Sequence, residues 1–164
     1  ADWRGSIAIV AGGGNNGGDG FALACILTNH GIRPVIYRTS ETLTDTARRF
    51  YLQAQELGID MLPFAEGTQL TGYDMIADCI FGTGFRGEVR GLARSAIEAI
   101  NASGAYVVSV DINSGLDGDT GKAELAVKSD LTVSIGFYKK GMFTCSAKQY
   151  IGALVNADIG MTLV

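Results

Sequence analysis

Four oxygen-bearing side chains, Asn16, Asp78, Asp111 and Ser114, stand at places where side-chain chemistry is expensive to keep unless it is used. Asn16 lies in the run Gly12-Gly13-Gly14-Asn15-Asn16-Gly17-Gly18-Asp19-Gly20, directly after the apolar segment Ser6–Ala11. That run contains GxGxxG (Gly12, Gly14, Gly17) between a strand and a helix, the setting in which bare backbone and helix N–H groups meet a phosphate. It also reads as a tight strand-to-helix turn. Asp19 is expected at the helix start, where a carboxylate caps the N–H groups a pyrophosphate would use. Asn15 and Asn16 add amide oxygens that a plain phosphate loop does not need. Arg38, ending the second strand, stands where a 2′-phosphate contact or a plain surface charge would fit equally.

Asp78 sits inside the apolar run Met75–Phe81. A carboxylate buried in a strand costs several kcal/mol unless it is paired or bound to a metal; at the strand end it could instead be wet. The flexible loop Gly82-Thr83-Gly84-Phe85-Arg86-Gly87-Glu88 follows, with a positive side chain suited to phosphate or ribose. Asp111 ends another apolar run and opens Asp111-Ile112-Asn113-Ser114-Gly115-Leu116-Asp117, in which Asp117 and the following Asp119 read as ordinary turn formers. Asn16, Asp78 and Ser114 together offer oxygen and no sulfur or imidazole, a set that suits a hard cation. With one carboxylate among them the charge matches a monovalent ion, with backbone carbonyls completing the shell.

Composition removes other chemistries. The 13 Lys and Arg against 17 Asp and Glu give a net charge of −4, which argues against non-specific nucleic-acid binding and against a cationic membrane surface. An anionic ligand must therefore be held by local backbone donors. Cys25, Cys79 and Cys145 show no CxxC spacing and read as reduced thiols of a cytoplasmic protein. Cys25 and Cys79 are expected in the core. The single histidine, His30, ends a predicted helix, so a zinc site, a Ser-His-Asp triad and a Cys-His dyad are excluded. No run reaches the ~20 apolar residues of a membrane span, and no signal-peptide pattern opens the chain. The 23 glycines among 164 residues are about twice the usual ~7% and point to loops that bring backbone close to something.

The elements that must position these residues follow from periodicity. Strands are predicted at Ser6–Ala11, Pro34–Arg38, Asp60–Phe64, Met75–Phe81, Tyr106–Asp111, Leu131–Gly136 and Gly152–Ala157. Helices are predicted at Asp19–His30, Thr44–Leu57 and Leu92–Ser103. Buried, non-alternating strands separated by helices imply an α/β fold: a Rossmann-like, doubly wound, mostly parallel sheet in an α/β/α three-layer sandwich. One domain spans 1–164. With strand order 3-2-1-4-5 the first and fourth strands flank the switch point, and ligands sit beyond the carboxyl ends of the strands there. The loops after strands one, four and five are then the working loops.

The residues of those loops resemble the YjeF N-terminal domain family, the NAD(P)H-hydrate epimerase domain. The likeness rests on Gly12–Gly20, on Asp78 with Phe81-Gly82-Thr83-Gly84, and on Asp111–Asp117. It extends through Gly121, Lys139 and Ala157-Asp158-Ile159-Gly160, nearly the whole chain. The resemblance implies interconversion of the R and S forms of hydrated NADH and NADPH (NAD(P)HX), with one K⁺ per subunit on Asn16, Asp78 and Ser114. It implies substrate contacts from Asn15, Asn16, Gly17, Gly18 and Asp19, and from Gly82, Thr83, Gly84, Phe85, Arg86, Gly87 and Glu88. It makes Asp111 a substrate contact and the candidate catalytic acid/base. It further implies a homodimer and a companion NAD(P)HX dehydratase, fused or separate. Inversion at C6 requires the hydroxyl to leave and return, or the ring to open and close; either route develops positive charge that a carboxylate can stabilise.

Two departures accompany the likeness. Asn113 stands where the family shows proline, so the third loop is expected to be less rigid. The helical segment that ordinarily precedes the first strand is absent, which implies a processed or partial domain and puts its dimer in question. Two other readings stay open on the sequence: a catalytically silent nucleotide-binding or scaffold module, and an NADP-dependent dehydrogenase built on GxGxxG and Arg38. The dehydrogenase would lack a proton-relay His or Tyr-Lys pair.

Overall fold

The computed structural model describes residues 5–160. Seven strands form a single sheet in the order β3-β2-β1-β4-β5-β6-β7, and every neighbouring pair is parallel. The strands are β1 (Ile7–Ala11), β2 (Val35–Arg38), β3 (Asp60–Pro63), β4 (Met75–Cys79), β5 (Tyr106–Val110), β6 (Ser129–Ile135) and β7 (Ile151–Ala157). Three helices, α1 (Asn15–Asn29), α2 (Asp45–Glu56) and α3 (Gly91–Asn101), connect them. The predicted doubly wound order is therefore present, extended by two strands.

Alternation along β1 separates the two cores. Ile7, Ile9 and Ala11 pack with Phe21, Ala24 and Cys25 of α1 and with Ala47 and Ala54 of α2. Ala8 and Val10 face the other way, onto Ile76, Val107 and the α3 residues Ala96, Ile97 and Ile100. Because both faces are covered, β1 is buried at every residue, which is why it reads as a continuous apolar run. Phe64 and Leu70, in the helix-free connection from β3 to β4, help fill the α3 side. Beyond β5 the cover changes. The β5–β6 and β6–β7 connections carry no α-helix, and a third cluster forms from Ile112, Leu116, Ala126, Met142, Ala147 and Tyr150. Two 3-10 turns, Lys140–Phe143 and Ala147–Gln149, complete that connection.

Local signals set the ends of the helices. Thr44 caps α2 by accepting a 3.3 Å hydrogen bond from the Ala47 N–H. Gly31, with φ +80°, turns the chain out of α1 in the left-handed conformation that glycine tolerates. The start of α1 departs from expectation: it begins at Asn15, four residues before the predicted Asp19. Asn-Asn-Gly-Gly has poor helix propensity, yet tertiary contact holds it helical and requires its two glycines to carry no side chain. A Cβ on Gly17 would lie 1.9 Å from the Gly12 carbonyl oxygen, and one on Gly20 would lie 2.8 Å from Cys79 Cβ. Each glycine costs the helix about 1 kcal/mol relative to alanine, and the close approach of helix to sheet outweighs that. Strand β5 ends at Val110 because Asp111 has φ +70°, outside the strand region.

Gly17→Ala is therefore expected to destabilise the fold by about 2 kcal/mol or more, despite the better helix propensity of alanine. Gly14→Ala, with φ −85° and nothing within 4 Å of the added Cβ, should cost less than about 1 kcal/mol. Urea unfolding of the two variants side by side checks the contrast.

Candidate active site

The carboxyl ends of β1, β4 and β5 converge on one buried group. Asp78, on β4, is in register with Val10 of β1 and Ser109 of β5, and it has no exposed surface. Its Oδ2 accepts hydrogen bonds from Ser109 Oγ at 2.8 Å and from the Ser114 N–H at 2.9 Å. Its Oδ1 accepts from Ser114 Oγ at 2.5 Å and from the Ile80 N–H at 3.3 Å. Ser114 Oγ in turn accepts from the Phe81 N–H at 2.8 Å. Burial pushes the Asp78 carboxyl up from its ordinary range, and these hydrogen bonds oppose that shift. The alternative of a wet carboxylate at the strand end does not hold.

Asn16 approaches the same place from the second position of α1. Its Nδ2 donates to the Val110 carbonyl at 2.7 Å, and Gly82 packs on its Cβ. Its Oδ1 is buried without a hydrogen-bond partner. An orphaned amide oxygen of that kind is costly, and a cation would relieve it. The donor types of Asn16, Asp78 and Ser114, an amide, a carboxylate and a hydroxyl, fit a hard monovalent cation.

Asp111 stands just past β5. Its Oδ1 accepts from the Ile135 N–H at 3.1 Å and forms an ion pair with Lys139 Nζ. The two side chains are 16% and 15% exposed, so the pair is largely desolvated. Lys139 Nζ also donates to Ser134 Oγ and to the Ile135 carbonyl, both at 3.1 Å. Lys139 is the site residue to which the sequence reading assigned no role. Its signal was the Lys139-Lys140-Gly141 step just after a strand end, two adjacent lysines in an acid-biased chain.

A cleft of about 700 Å³ opens over these strand ends, lined by Gly13, Gly14, Asn15, Asn16, Asp19, Ile80, Phe81, Gly82, Thr83, Gly84, Phe85, Arg86 and Asp111. Asp19, Thr83 and Asp111 also line an adjoining cleft of about 300 Å³, with Ile135, Phe137, Lys139 and Ile159. On the other side, Gly13, Gly14 and Phe81 continue into a third cleft of about 460 Å³ beneath Thr39, Ser40, Thr42, Leu43 and Thr44. Phe81 and Phe85 stack with ring centroids 4.7 Å apart and give the middle of this groove an apolar wall. The groove suits an elongated ligand with both apolar and polar parts.

Most of the expected contact residues line this groove, and four do not. Gly17 and Gly18 are buried inside α1, against the Gly12 carbonyl and Ala47 Cα. Gly87 makes a turn at φ +88°, and Glu88 pairs with Arg90 at 2.7 Å in solvent. Asp19 is the fifth residue of α1 and caps nothing; Gly14 occupies the cap position, leaving the first N–H groups without a side-chain partner or a first-turn carboxylate. Although Asp19 is exposed as a residue, desolvation of its carboxyl in the cleft pushes its pKa up, and the charge of Asp111 adds to that. Arg86 folds onto its own loop, donating to the Thr83 and Phe85 carbonyls at 2.7 and 2.8 Å and pairing with Asp119 at 2.6 Å. Asp119 is thus more than a turn former. Arg38 places its guanidinium 5.4 Å over the Tyr51 ring of α2 and lines a smaller cleft of about 200 Å³ together with Thr39 and Ser40, two residues of the third cleft.

Asn113 corrects another expectation. Its buried Nδ2 lies 2.9 Å from the Val127 carbonyl, Ser129 Oγ and the Tyr150 carbonyl, and its Oδ1 accepts from Thr132 Oγ1 at 2.6 Å. The third loop is held by side-chain hydrogen bonds to β6 and to the start of β7 where a proline ring would act through φ.

A family model described as YjeF-related protein N-terminus matches residues 3–141. The chain is 36% identical to the NAD(P)H-hydrate epimerase of Levilactobacillus brevis, covering 94% of this chain and 73% of that protein. It is 38% identical to the protein of the same name from Limosilactobacillus fermentum, over 93% and 74%. The Bifunctional NAD(P)H-hydrate repair enzyme Nnr of Coxiella burnetii is 33% identical over 95% of this chain, which spans only 32% of that longer protein. The crystal structure of yeast YNL200c superposes with a TM-score of 0.75 at 24% identity, covering 93% of this chain and 65% of that one, a likeness of fold.

Asn113→Ala should cost roughly 2–4 kcal/mol, because it strands several buried partners at once. Thermal and urea unfolding measure it; a loss below about 0.5 kcal/mol would show that the network does not hold the loop.

Proposed function

The chain belongs to the YjeF-related protein N-terminus family, and we propose that it is an isomerase that interconverts the R and S forms of hydrated NADH and NADPH in nicotinamide nucleotide repair. The observation that carries this reading is the Asp111 carboxylate, fixed by Lys139 and the Ile135 N–H where two clefts meet. Similarity to relatives named NAD(P)H-hydrate epimerase, over more than nine-tenths of the chain, supports it.

The residues divide the work. The N–H groups at the start of α1, with no side-chain cap, present donors to a phosphate of the dinucleotide. Asn15, Asn16 and Thr83 add polar contacts along the groove, and the Phe81–Phe85 pair offers a face for a flat ring. Asp111 faces the hydrated ring. When the C6 substituent departs, positive charge builds on the ring nitrogen, and a carboxylate already oriented stabilises it without reorganisation. The same carboxylate can take or give the proton that inversion moves.

Asn16, Asp78 and Ser114 would hold one K⁺ per subunit, a role supported by the orphaned Asn16 Oδ1. The ion would supply a fixed positive charge that orders the loops. A homodimer, a cytoplasmic setting and a dehydratase as companion belong to the same reading; relatives named bifunctional support the last of these. No helix among the described residues is long and apolar enough to cross a membrane.

Freshly prepared hydrated NADPH, followed by chromatography of its R and S forms, tests the reading. The protein should equilibrate them faster than the spontaneous rate; no acceleration overturns the proposal. Asp111→Asn should lower the rate by about 100-fold or more. Its unfolding midpoint should fall, because the largely desolvated Lys139 ammonium loses its counter-charge, while the fold persists since asparagine tolerates φ +70°. Full turnover in that variant would remove Asp111 from the mechanism.

Added K⁺ should raise the melting temperature of the protein, by linkage, and the rise should disappear in Asn16→Ala. An equal rise in both would place the ion elsewhere.

A further inference from the structure

Two carboxylates, not one, face the junction of the clefts. Asp19 and Asp111 both line the cleft of about 700 Å³ and the one of about 300 Å³. They arrive from different elements, Asp19 from α1 and Asp111 from the end of β5. Their surroundings are opposite in kind. Asp111 is tied by an ion pair and a backbone N–H. The Asp19 carboxyl has neither a hydrogen bond nor an ion pair among the described residues. The charged groups around them are already engaged: Lys139 spends its donors on Asp111, Ser134 and Ile135, and Arg86 on Asp119 and two carbonyls.

Inversion of a hydroxylated carbon has two faces. The hydroxyl departs from one and returns on the other, so a single fixed carboxylate serves only one of them. Resting on the epimerase reading above, we propose that Asp19 is a second catalytic residue, the proton donor to the departing C6 hydroxyl, with Asp111 serving the opposite face of the ring. The desolvated Asp19 carboxyl, with its pKa pushed up partly by the charge of Asp111, suits the donor role.

The step balances without any oxidant or reductant. The Asp19 carboxyl gives its proton to the C6 hydroxyl, the C–O bond breaks with its electron pair going to oxygen, and water leaves. The lone pair of N1 forms an N1=C6 double bond, and the resulting cation faces the Asp111 carboxylate. A water molecule adds to C6 from the Asp111 side, the double-bond pair returns to N1, and the excess proton of that water passes to Asp111. The reverse inversion uses the same two groups with roles exchanged, and solvent returns the proton between turnovers.

Asp19→Asn keeps the size and hydrogen-bonding capacity of the side chain and removes the proton, so it separates catalysis from contact. Rates of R-to-S and S-to-R conversion are read by chromatography, and affinity is read by calorimetric titration with hydrated NADPH. Expected is a fall in kcat of roughly 100-fold in both directions, with Kd changed by less than about threefold. Asp19→Glu, which keeps a titratable carboxyl, should recover at least about tenfold over Asp19→Asn. A loss of less than about tenfold in kcat for Asp19→Asn, whatever its Kd, makes Asp19 a binding residue only and overturns the inference. Failure of the unaltered protein to accelerate equilibration would instead overturn the epimerase reading itself.

Discussion

A carboxylate with no exposed surface is a demand placed on the chain around it, and Asp78 makes that demand here. Left unpaired in the interior it would cost several kcal/mol. Ser109 from β5 and the Ile80 N–H give each of its oxygens one donor, and the third loop comes down onto β4 so that Ser114 supplies a second to each, its N–H and its hydroxyl. Once Ser114 is seated, its oxygen receives the Phe81 N–H, which turns the second loop over the strand ends. The chain leaving β5 must then bend at once, and it does so at Asp111, a non-glycine residue at φ +70°. Strain of that kind persists where the surroundings over-determine it. Here the ties to Ile135 and Lys139 are what over-determine it.

Parallel strands buried on both faces announce themselves in sequence, and β1 and β4 were legible for that reason, as was the order around the switch point. The start of α1 was not. Asn15 to Gly18 carries every local sign of a loop, and its helical state exists because bare backbone must lie against the Gly12 carbonyl and Ala47. The same contacts explain why Gly17 and Gly18 fall outside the groove. Their absence of side chain serves packing, and sequence does not distinguish a glycine that admits a ligand from one that admits a strand. Asp78 and Ser114 were legible as chemistry because polar residues at the ends of apolar runs are conspicuous. Lys139 was not assigned a role because its partner lies 28 residues away and the pairing depends on where β6 ends. For Arg38 the position at the strand end was legible, and the contact of its guanidinium with Tyr51 was not.

Asn113 shows two physical routes to one loop. Proline restrains a loop by removing freedom at φ in both folded and unfolded chains. Asparagine leaves the unfolded chain free and restrains only the folded one, through bonds to Val127, Ser129, Thr132 and Tyr150. The second route makes the loop depend on β6 and on the start of β7. The end of the sheet that lacks helical cover thereby becomes part of what holds Asp111 and Ser114.

The acid-biased composition and an anionic dinucleotide are compatible only if recognition is local. A net charge of −4 gives no attractive field at long range. Within the groove the one nearby guanidinium is partly compensated by Asp119, with Asp117 3.7 Å from its Nε. On the proposed reading, phosphate would be held by oriented backbone: the N–H groups at the start of α1, where Gly13 and Gly14 put no side chain in the way. Such donors are strong at hydrogen-bond distance and weak beyond it, so they select a ligand by shape and position. The glycine excess is the counterpart of the missing basic patch, divided between glycines that seat α1 on the sheet and glycines that leave its first turn open.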